Sequence, residues 1–281
     1  MREIFDQFLK EKRYLTNVSP QTIKYYEWMY NRWNHHIGKF PTKENIKEFV
    51  IKIRESDITV YTANSYIRGI NSFLSWLYEN EYTKEHLKIK KLKEPEKFLK
   101  LFSDEQIKRL LNYRPKTFAQ KRLYAMICFA FDTGARIEEI LNLRREDIDF
   151  DNLLVLVTGK GDKERILPIS IECRKHLYKF LRLHEYQMAF PKRNGERQSY
   201  RTALQLFKTL CKKLHITGVR TSWHTIRHTM ASHYVRDGGN VLYLQRILGH
   251  SDLSVTKIYV KALPEDLKLV HKKTSLVGRY K

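Results

Sequence analysis

Apolar positions in the first 80 residues recur every three or four places, which is the spacing of amphipathic helices. Ser19 followed by Pro20 is typical of a helix start, with an N-cap residue and a proline in the first turn. Thr42 precedes a third apolar-periodic run and is predicted to cap it, and Thr59 or a neighbouring residue is predicted to start a fourth. The pattern therefore predicts a unit of four helices over residues 1–82.

The stretch that follows has a different composition. Residues 83–101 are rich in lysine, are interrupted by Pro95 and show no sustained apolar period. Such a stretch is predicted to be a solvated basic linker, and its lysines would also contact backbone phosphates if the protein wraps DNA. The second unit accordingly spans residues 102–281.

The second unit opens with Ser103 and, three residues later, Gln106, which is the pattern of a capping box. Helical periods follow along most of its length, including an apolar run at residues 118–132. Residues 153–158 and 164–169 are rich in β-branched and aliphatic side chains and flank a Gly-Lys-Gly-Asp turn, which predicts a β-hairpin. The predicted fold class is therefore mainly α with a small β-sheet (α+β).

Composition indicates a folded and strongly basic protein. Hydrophobic residues are 42% of the 281 residues, which is enough to build cores and excludes a wholly disordered chain. The formal net charge is +22, divided into +5 on residues 1–97 and +17 on residues 98–281. A globular protein this basic usually binds a polyanion, and the second unit is expected to provide most of that contact.

The cysteines and the N-terminal segment indicate the cellular compartment of the protein. The three cysteines stand far apart and form no CxxC pair, which favours the reducing cytoplasm over a disulfide-bonded exterior. The N-terminal segment lacks the apolar run and cleavage site of a signal peptide, and no apolar stretch approaches the roughly 18 residues that suggest a membrane span. We therefore expect a cytoplasmic protein with no membrane partner.

Six residues of the second unit are candidates for chemistry, although each alone has an ordinary structural explanation. A lone arginine, a hairpin lysine or one of 17 tyrosines is a weak signal. His224 and His228 stand four residues apart, as in some zinc sites, but their segment lacks the glutamate of HExxH and has no cysteine nearby, so no metal is expected. The six candidates are Arg136, Lys160, His224, Arg227, His250 and Tyr259.

Taken together, these positions resemble the tyrosine recombinase (phage integrase) family. The motifs that carry the resemblance are TGAR ending at Arg136, GKGDK around Lys160, HTIR from His224 to Arg227, and LGH ending at His250. Tyr259 follows His250 by nine residues, as the family pattern requires. The resemblance covers residues 102–272 specifically and is closest to the short, two-domain Xer-type recombinases.

The resemblance implies an N-terminal core-binding domain and a C-terminal catalytic domain, which together clamp a double-stranded DNA recombination site. Arg136 and Arg227 would bind the scissile phosphate, because guanidinium groups are permanently charged and bind phosphate through a planar fork. His250 would donate to the same oxygens. Glu139, three residues after Arg136, is either a carboxylate that orients this arginine or an ordinary surface pair.

The remaining implied roles concern strand transfer. Tyr259 would attack phosphorus and form a 3′-phosphotyrosine, His224 would accept its proton, and Lys160 would protonate the departing 5′ oxygen. The chemistry requires no cofactor, and the sequence contains neither a GxxxxGK[ST] nor a GxGxxG motif. Lys163, the second basic residue of the hairpin, is expected to contact a phosphate.

The family acts as a tetramer on two DNA sites, and residues 264–273 resemble the segment with which one protomer docks in its neighbour. The biological role is left open between chromosome dimer resolution and mobile-element integration or excision, as is the need for a second recombinase or an accessory protein. Two other interpretations are a monomeric type IB topoisomerase and a non-catalytic DNA-binding protein. The intact six positions and the segment LGHSDLSVTKIYV favour a recombinase.

Overall fold

The computed structural model describes residues 1–95, 100–159, 161 and 163–249. The chain divides into two compact units, Met1–Lys97 and Phe98–Lys281. Each has a hydrophobic core of its own.

Four helices form the N-terminal unit, as the apolar periods predict. They are α1 (Arg2–Tyr14), α2 (Pro20–His36), α3 (Lys43–Glu55) and α4 (Val60–Glu79). Ser19 and Thr42 are N-caps as predicted, and of the residues open for the start of α4 it is Thr59 that caps. Each of the three side chains accepts a hydrogen bond from the backbone N–H three residues on. The core is rich in aromatic rings, with Phe5 and Phe8 of α1 packed against Phe73 of α4. Burial of these large rings is what stabilises so small a unit.

Residues 83–95, which the sequence analysis assigns to a basic linker, contain no helix or strand, but they are not freely solvated. They return along α4 in an extended conformation, and Ile89 is buried in the same core as the four helices. Leu87 and Leu92 pack against that core while the lysines between them stay exposed.

Seven helices of the C-terminal unit lie within the described residues. They are α5 (Asp104–Leu111), α6 (Phe118–Thr133), α7 (Ile137–Asn142), α8 (Ile171–Leu181), α9 (Tyr200–Lys213), α10 (Trp223–Arg236) and α11 (Val241–Leu248). The predicted capping box at Ser103 and Gln106 is present. The apolar helix α6 is central to the unit, because it contacts each of the helices α5, α7, α8, α9 and α10.

The small sheet is antiparallel, with strand order β1 (Ile148–Asp149), β2 (Leu154–Thr158), β3 (Glu164–Pro168). The predicted hairpin is confirmed as β2 and β3, and Val157 pairs with Arg165. The strand β1 has two residues, too few to produce an alternating pattern, so the sequence did not predict it. Alternate side chains of a strand share a face, which places Arg165 on the same side of β3 as the buried Leu167.

The predicted class, mainly α with a small β-sheet, is confirmed. No helix in the described ranges is both long enough and apolar enough to cross a membrane.

Candidate active site

The segment Thr133-Gly134-Ala135-Arg136 is a tight turn between α6 and α7. Gly134 has φ +63°, and a Cβ there would lie 2.3 Å from Met230 Cε, so both the backbone conformation and the space favour glycine. The Thr133 hydroxyl accepts a hydrogen bond from the backbone N–H of Ala135 (3.2 Å). The turn leaves Arg136 as the N-cap residue of α7, with its side chain partly exposed.

His224 and Arg227 lie on α10, three residues apart and therefore on one face of the helix. Their environments differ: the side chain of His224 is exposed, whereas Arg227 is 6% exposed. Arg227 donates through Nη1 to the carbonyl of Gly134 (2.7 Å), which ties α10 to the turn that carries Arg136. The buried Trp223 packs on Phe207, with ring centroids 5.1 Å apart, and anchors the start of α10 to the core.

Three arginines converge on the last turn of α11. Arg165 Nε donates to the carbonyl of Ile247 (2.8 Å), Arg227 Nη2 to that of Leu248 (2.6 Å) and Arg136 Nη2 to that of Gly249 (3.1 Å). These carbonyls belong to the helix end, where backbone acceptors lack intrahelical donors and the macrodipole favours positive charge. The C-terminal turn of α11 therefore gathers side chains that are distant in sequence into one site.

Glu139 is the carboxylate that balances part of this charge. Its Oε1 accepts from Arg136 Nη1 (2.9 Å) and Arg165 Nη1 (2.6 Å), and its Oε2 accepts from Arg136 N (2.6 Å) and Arg165 Nη2 (2.8 Å). Its side chain is 2% exposed, so it is no ordinary surface pair. Burial alone would raise the pKa of Glu139, but the hydrogen bonds and charges of Arg165 and Arg136 lower it below its usual range. One buried carboxylate is thus bonded to two guanidinium groups.

Arg165 is a further residue of this site, and the sequence motifs do not single it out. A signal was available, because Arg165 is a charged residue at a position that shares a strand face with the apolar Leu167. An inward-facing charge on a strand is unusual unless it is paired, and here the partner is the buried Glu139.

The two histidines of this part of α10 favour the neutral form. Desolvation lowers the pKa of His224, and the positive charges of Arg227, Arg220 and Arg136 lower it further. Burial likewise lowers the pKa of His228, with His224 and Arg227 adding to the effect. A neutral imidazole at neutral pH has a lone pair with which to accept a proton.

The structure brings three of the six predicted residues into one neighbourhood. Arg136 and Arg227 bind adjacent carbonyls, and His224 feels the charge of both arginines. Lys160, His250, Tyr259 and residues 264–273 lie outside the described residues. Lys163 is described and exposed, and its carbonyl accepts from the N–H of Gly159 (2.8 Å) at the base of the hairpin tip.

Within the described ranges, no three His, Cys, Asp or Glu side chains are grouped so as to hold a metal ion. His224 and His228 lie with ring centroids 6.4 Å apart and nearly perpendicular. Independence from a metal or cofactor stays a prediction.

Solved structures define the class of this fold. The crystal structure of XerA recombinase matches at 26% identity with a TM-score of 0.55, covering 97% of this chain and 98% of that one. The structure of the Tn1549 transposon integrase with transposon right end DNA matches with a TM-score of 0.81, covering 97% of this chain and 99% of that one. At 18% identity, the second comparison bears on the fold alone.

The chain belongs to the phage integrase family, whose model matches residues 100–266. It is a tyrosine-type site-specific recombinase. The tyrosine recombinase XerA of Thermococcus onnurineus is 27% identical over 268 residues, which cover 94% of this chain and 92% of that protein. The tyrosine recombinase XerC of Chlamydia muridarum is also 27% identical, over 94% of this chain and 86% of that protein.

Proposed function

We propose that the chain cuts and rejoins double-stranded DNA at a specific site through a covalent 3′-phosphotyrosine at Tyr259. The observation that carries the proposal is the convergence of Arg136, Arg165 and Arg227 on the end of α11, where Glu139 pairs with Arg136 and Arg165. Among the described residues, three guanidinium groups meet at this helix end with one carboxylate, so the bound phosphodiester would bring its negative charge to a cluster of cations. His250 follows this turn directly in sequence.

Arg136 and Arg227 are the proposed phosphate ligands. Attack on phosphorus builds negative charge on the two non-bridging oxygens, and guanidinium groups held in advance stabilise that charge without reorganisation. Loss of one such preorganised donor typically raises the barrier by about 3 kcal/mol. His250 adds a further N–H donor in this scheme.

The proton transfers of the reaction suggest roles for the other three residues, which are Tyr259, His224 and Lys160. The Tyr259 oxygen forms a bond to phosphorus as its proton passes to His224. Desolvation and the neighbouring arginines lower the pKa of His224, so its imidazole is neutral and able to accept the proton. The P–O bond to the 5′ oxygen breaks, and Lys160 donates the proton that this leaving group needs. Religation reverses each step, and the bond energy is kept in the phosphotyrosine, so no ATP, nucleotide cofactor or metal is needed.

We infer that the DNA partner is a recombination site held by both units, the N-terminal helices as core-binding domain and the second unit as catalytic domain. Two supports are the net charge of +22 and the DNA in the structure of the Tn1549 integrase, which has the same fold. Strand exchange requires two sites, for which a tetramer with residues 264–273 docked between protomers is the proposed assembly. The biological role is chromosome dimer resolution or mobile-element movement, and assays on both kinds of site, with and without a second recombinase, would separate them.

A nicked suicide substrate tests the chemistry. The wild-type protein should form an SDS-resistant adduct at the 3′ phosphate, and Tyr259→Phe should bind the same DNA but form none. Tyr243→Phe is a matched control, since Tyr243 is an exposed tyrosine of α11, and it should retain the adduct. An adduct that persists in Tyr259→Phe would remove this tyrosine as the nucleophile. Relaxation of supercoils by a monomer, without strand exchange, would favour the topoisomerase alternative.

A further inference from the structure

An extended segment accompanies α4 along its length, and we call residues 84–95 the basic strap. Two asparagines of α4 hold it. The Asn71 side chain donates to the carbonyl of Ile89 (2.9 Å) and accepts from its N–H (2.8 Å). The Asn64 side chain donates to the carbonyl of Leu92 (2.9 Å) and accepts from its N–H (2.8 Å).

The asparagine amide offers the same donor and acceptor pair as a peptide group, so each asparagine acts as a one-residue strand partner for the strap. The spacing fits. Seven residues of helix rise about 10.5 Å, and three residues of extended chain span about 10 Å. The order is antiparallel, because the later residue on α4, Asn71, holds the earlier residue of the strap, Ile89.

Further contacts continue this register at both ends of the strap. Ser75 hydrogen-bonds His86 (3.1 Å) near the beginning, and the hydroxyl of Tyr61 donates to the carbonyl of Pro95 (2.6 Å) at the end. Ile89 is 4% exposed within the core of the N-terminal unit. The strap is therefore part of the folded surface of this unit.

The outward side of the strap is positively charged. Lys88, Lys90, Lys91 and Lys93 are exposed, and within the described ranges none of them forms an ion pair. The two acidic residues of the strap are engaged elsewhere, since Glu85 pairs with Lys43 and Glu94 accepts from the Asn64 amide (2.8 Å). A row of lysines without carboxylates among them is a surface for a polyanion.

We propose that the basic strap is a preformed phosphate-binding surface of the N-terminal unit, and that Asn64 and Asn71 are the residues that hold it in shape. The inference rests on the proposed function, because the polyanion is the backbone of the DNA substrate. A free linker would lose conformational entropy on binding DNA, whereas a strap already bonded to α4 has lost it on folding. The strap lysines should therefore contribute to affinity more than their charge alone.

The first experiment compares equal changes of charge in the full-length protein. Affinity for a DNA duplex is measured across salt concentrations for Lys88→Gln with Lys90→Gln, and for Lys10→Gln with Lys47→Gln, two exposed lysines of α1 and α3. Each lost phosphate contact should make the slope of log K against log salt shallower by about 0.9, so the strap pair should reduce it by about 1.8. The control pair should change it by much less.

The second experiment keeps the charge and releases the strap. Asn64→Ala with Asn71→Ala should speed cleavage by trypsin after the strap lysines and weaken DNA binding several-fold, although no lysine is lost. Asn71→Ala alone, at a half-buried position, is the milder variant if the double variant unfolds. Bound DNA should protect the strap of the wild-type protein from trypsin.

The outcomes separate the strap from the proposed function. A wild-type protein that binds no duplex would overturn DNA binding as a whole. A wild-type protein that binds with a steep salt dependence, while the strap pair behaves like the control pair, would overturn the strap alone. If the folded Asn64→Ala, Asn71→Ala variant has a trypsin-sensitive strap but binds duplex DNA as tightly as the wild type, the two asparagines do not preform the phosphate-binding surface.

Discussion

The Glu139 carboxylate accepts four hydrogen bonds from two arginines, and its side chain is almost fully buried. Removal of one partner from a buried ion pair leaves a charge without compensation, which is the costly way to break such a pair. The stability of the C-terminal unit and the geometry of Arg136 should therefore depend together on this carboxylate.

We predict that Glu139→Gln lowers the free energy of unfolding by on the order of 3 kcal/mol and slows DNA cleavage. The amide keeps the shape of the side chain but loses its charge and two of its acceptor positions. Urea denaturation and single-turnover cleavage check the two effects. Glu138→Gln is the matched control, since Glu138 is the exposed neighbour that pairs with Arg197, and its effect should stay within about 0.5 kcal/mol. Equal effects of the two variants would contradict the role of Glu139.

Lys160 permits a chemical test of its proposed role. Lys160→Ala should slow cleavage of ordinary DNA, and a 5′-bridging phosphorothiolate should restore most of the rate, because a thiolate leaves without protonation. Lys163→Ala should weaken binding, and the sulfur substrate should not rescue it. Cleavage rates on both substrates are the measurement. If sulfur fails to rescue Lys160→Ala, this lysine contacts something other than the leaving oxygen.

Arg165 connects three elements, because it lies on β3, binds Glu139 of α7 and donates to the end of α11. We interpret it as a positioning residue, since its Nε, Nη1 and Nη2 all donate to Ile247 or Glu139. A lysine has one ammonium group in place of the planar fork, so it cannot reproduce the two parallel bonds to the Glu139 oxygens together with the bond to Ile247.

We predict that Arg165→Lys reduces the cleavage rate at least tenfold while DNA affinity changes less than threefold. The rate falls because Arg136 loses the carboxylate geometry that orients it, whereas the exposed basic surface is unchanged. Arg197→Lys, at an exposed arginine that pairs with Glu138, serves as control and should leave both quantities near wild type. A parallel loss of affinity and rate would indicate general damage to the fold.

The segment after α11 is expected to control assembly. Leu263, Leu267 and Val270 fall on one face if the chain is helical from Leu263 through residues 264–273, and such a face needs a partner to cover it. Truncation after Ala262 should leave binding to one half-site intact and abolish paired-site complexes and strand exchange, as measured by gel shift. Cleavage recovered by mixing this truncation with full-length Tyr259→Phe supports docking between protomers. No recovery, together with a lower melting temperature, would contradict it.

Acid should destabilise the molecule as a whole through its histidines. The structure gives lowered pKa values for His36, His176, His184, His224, His228 and His233. The unfolded chain then binds more protons than the folded one below the ordinary histidine pKa, so stability is full above about 6.5 and falls with pH below it. The pKa of Glu139 is also lowered in the folded state, so stability continues to fall below pH 4.5, the ordinary pKa of a glutamate.

The melting temperature should accordingly fall between pH 7 and pH 5 at constant ionic strength. His184→Phe is the diagnostic variant, because burial lowers the pKa of His184 among the rings of Phe118 and Phe180, and phenylalanine keeps the ring without the titration. Its melting temperature should depend less on pH than that of the wild type. A melting temperature that rises toward pH 5 would contradict the prediction.

The elements of this protein were largely predictable from its sequence, because their causes are local. Apolar periods and capping residues such as Ser19 and Ser103 act within a few residues, and the structure has these helices where the pattern indicates. The hairpin of β2 and β3 was predictable for the same reason, whereas β1 was not, because two residues are too few to show an alternating pattern. The family could also be inferred, since its motifs are runs of neighbouring residues at set spacings.

Long-range contacts could not be inferred in this way. Arg165 meets Glu139 across 26 residues and Ile247 across 82, and no period along the chain relates such positions. The basic strap is a second case, because its lysine content indicates solvation, while two asparagines of α4 hold it through backbone groups that have no sequence signature. Local propensities thus set the helices and the hairpin, and the packing of α6, α10 and α11 set which charges meet, because a buried charge is stable only beside its partner.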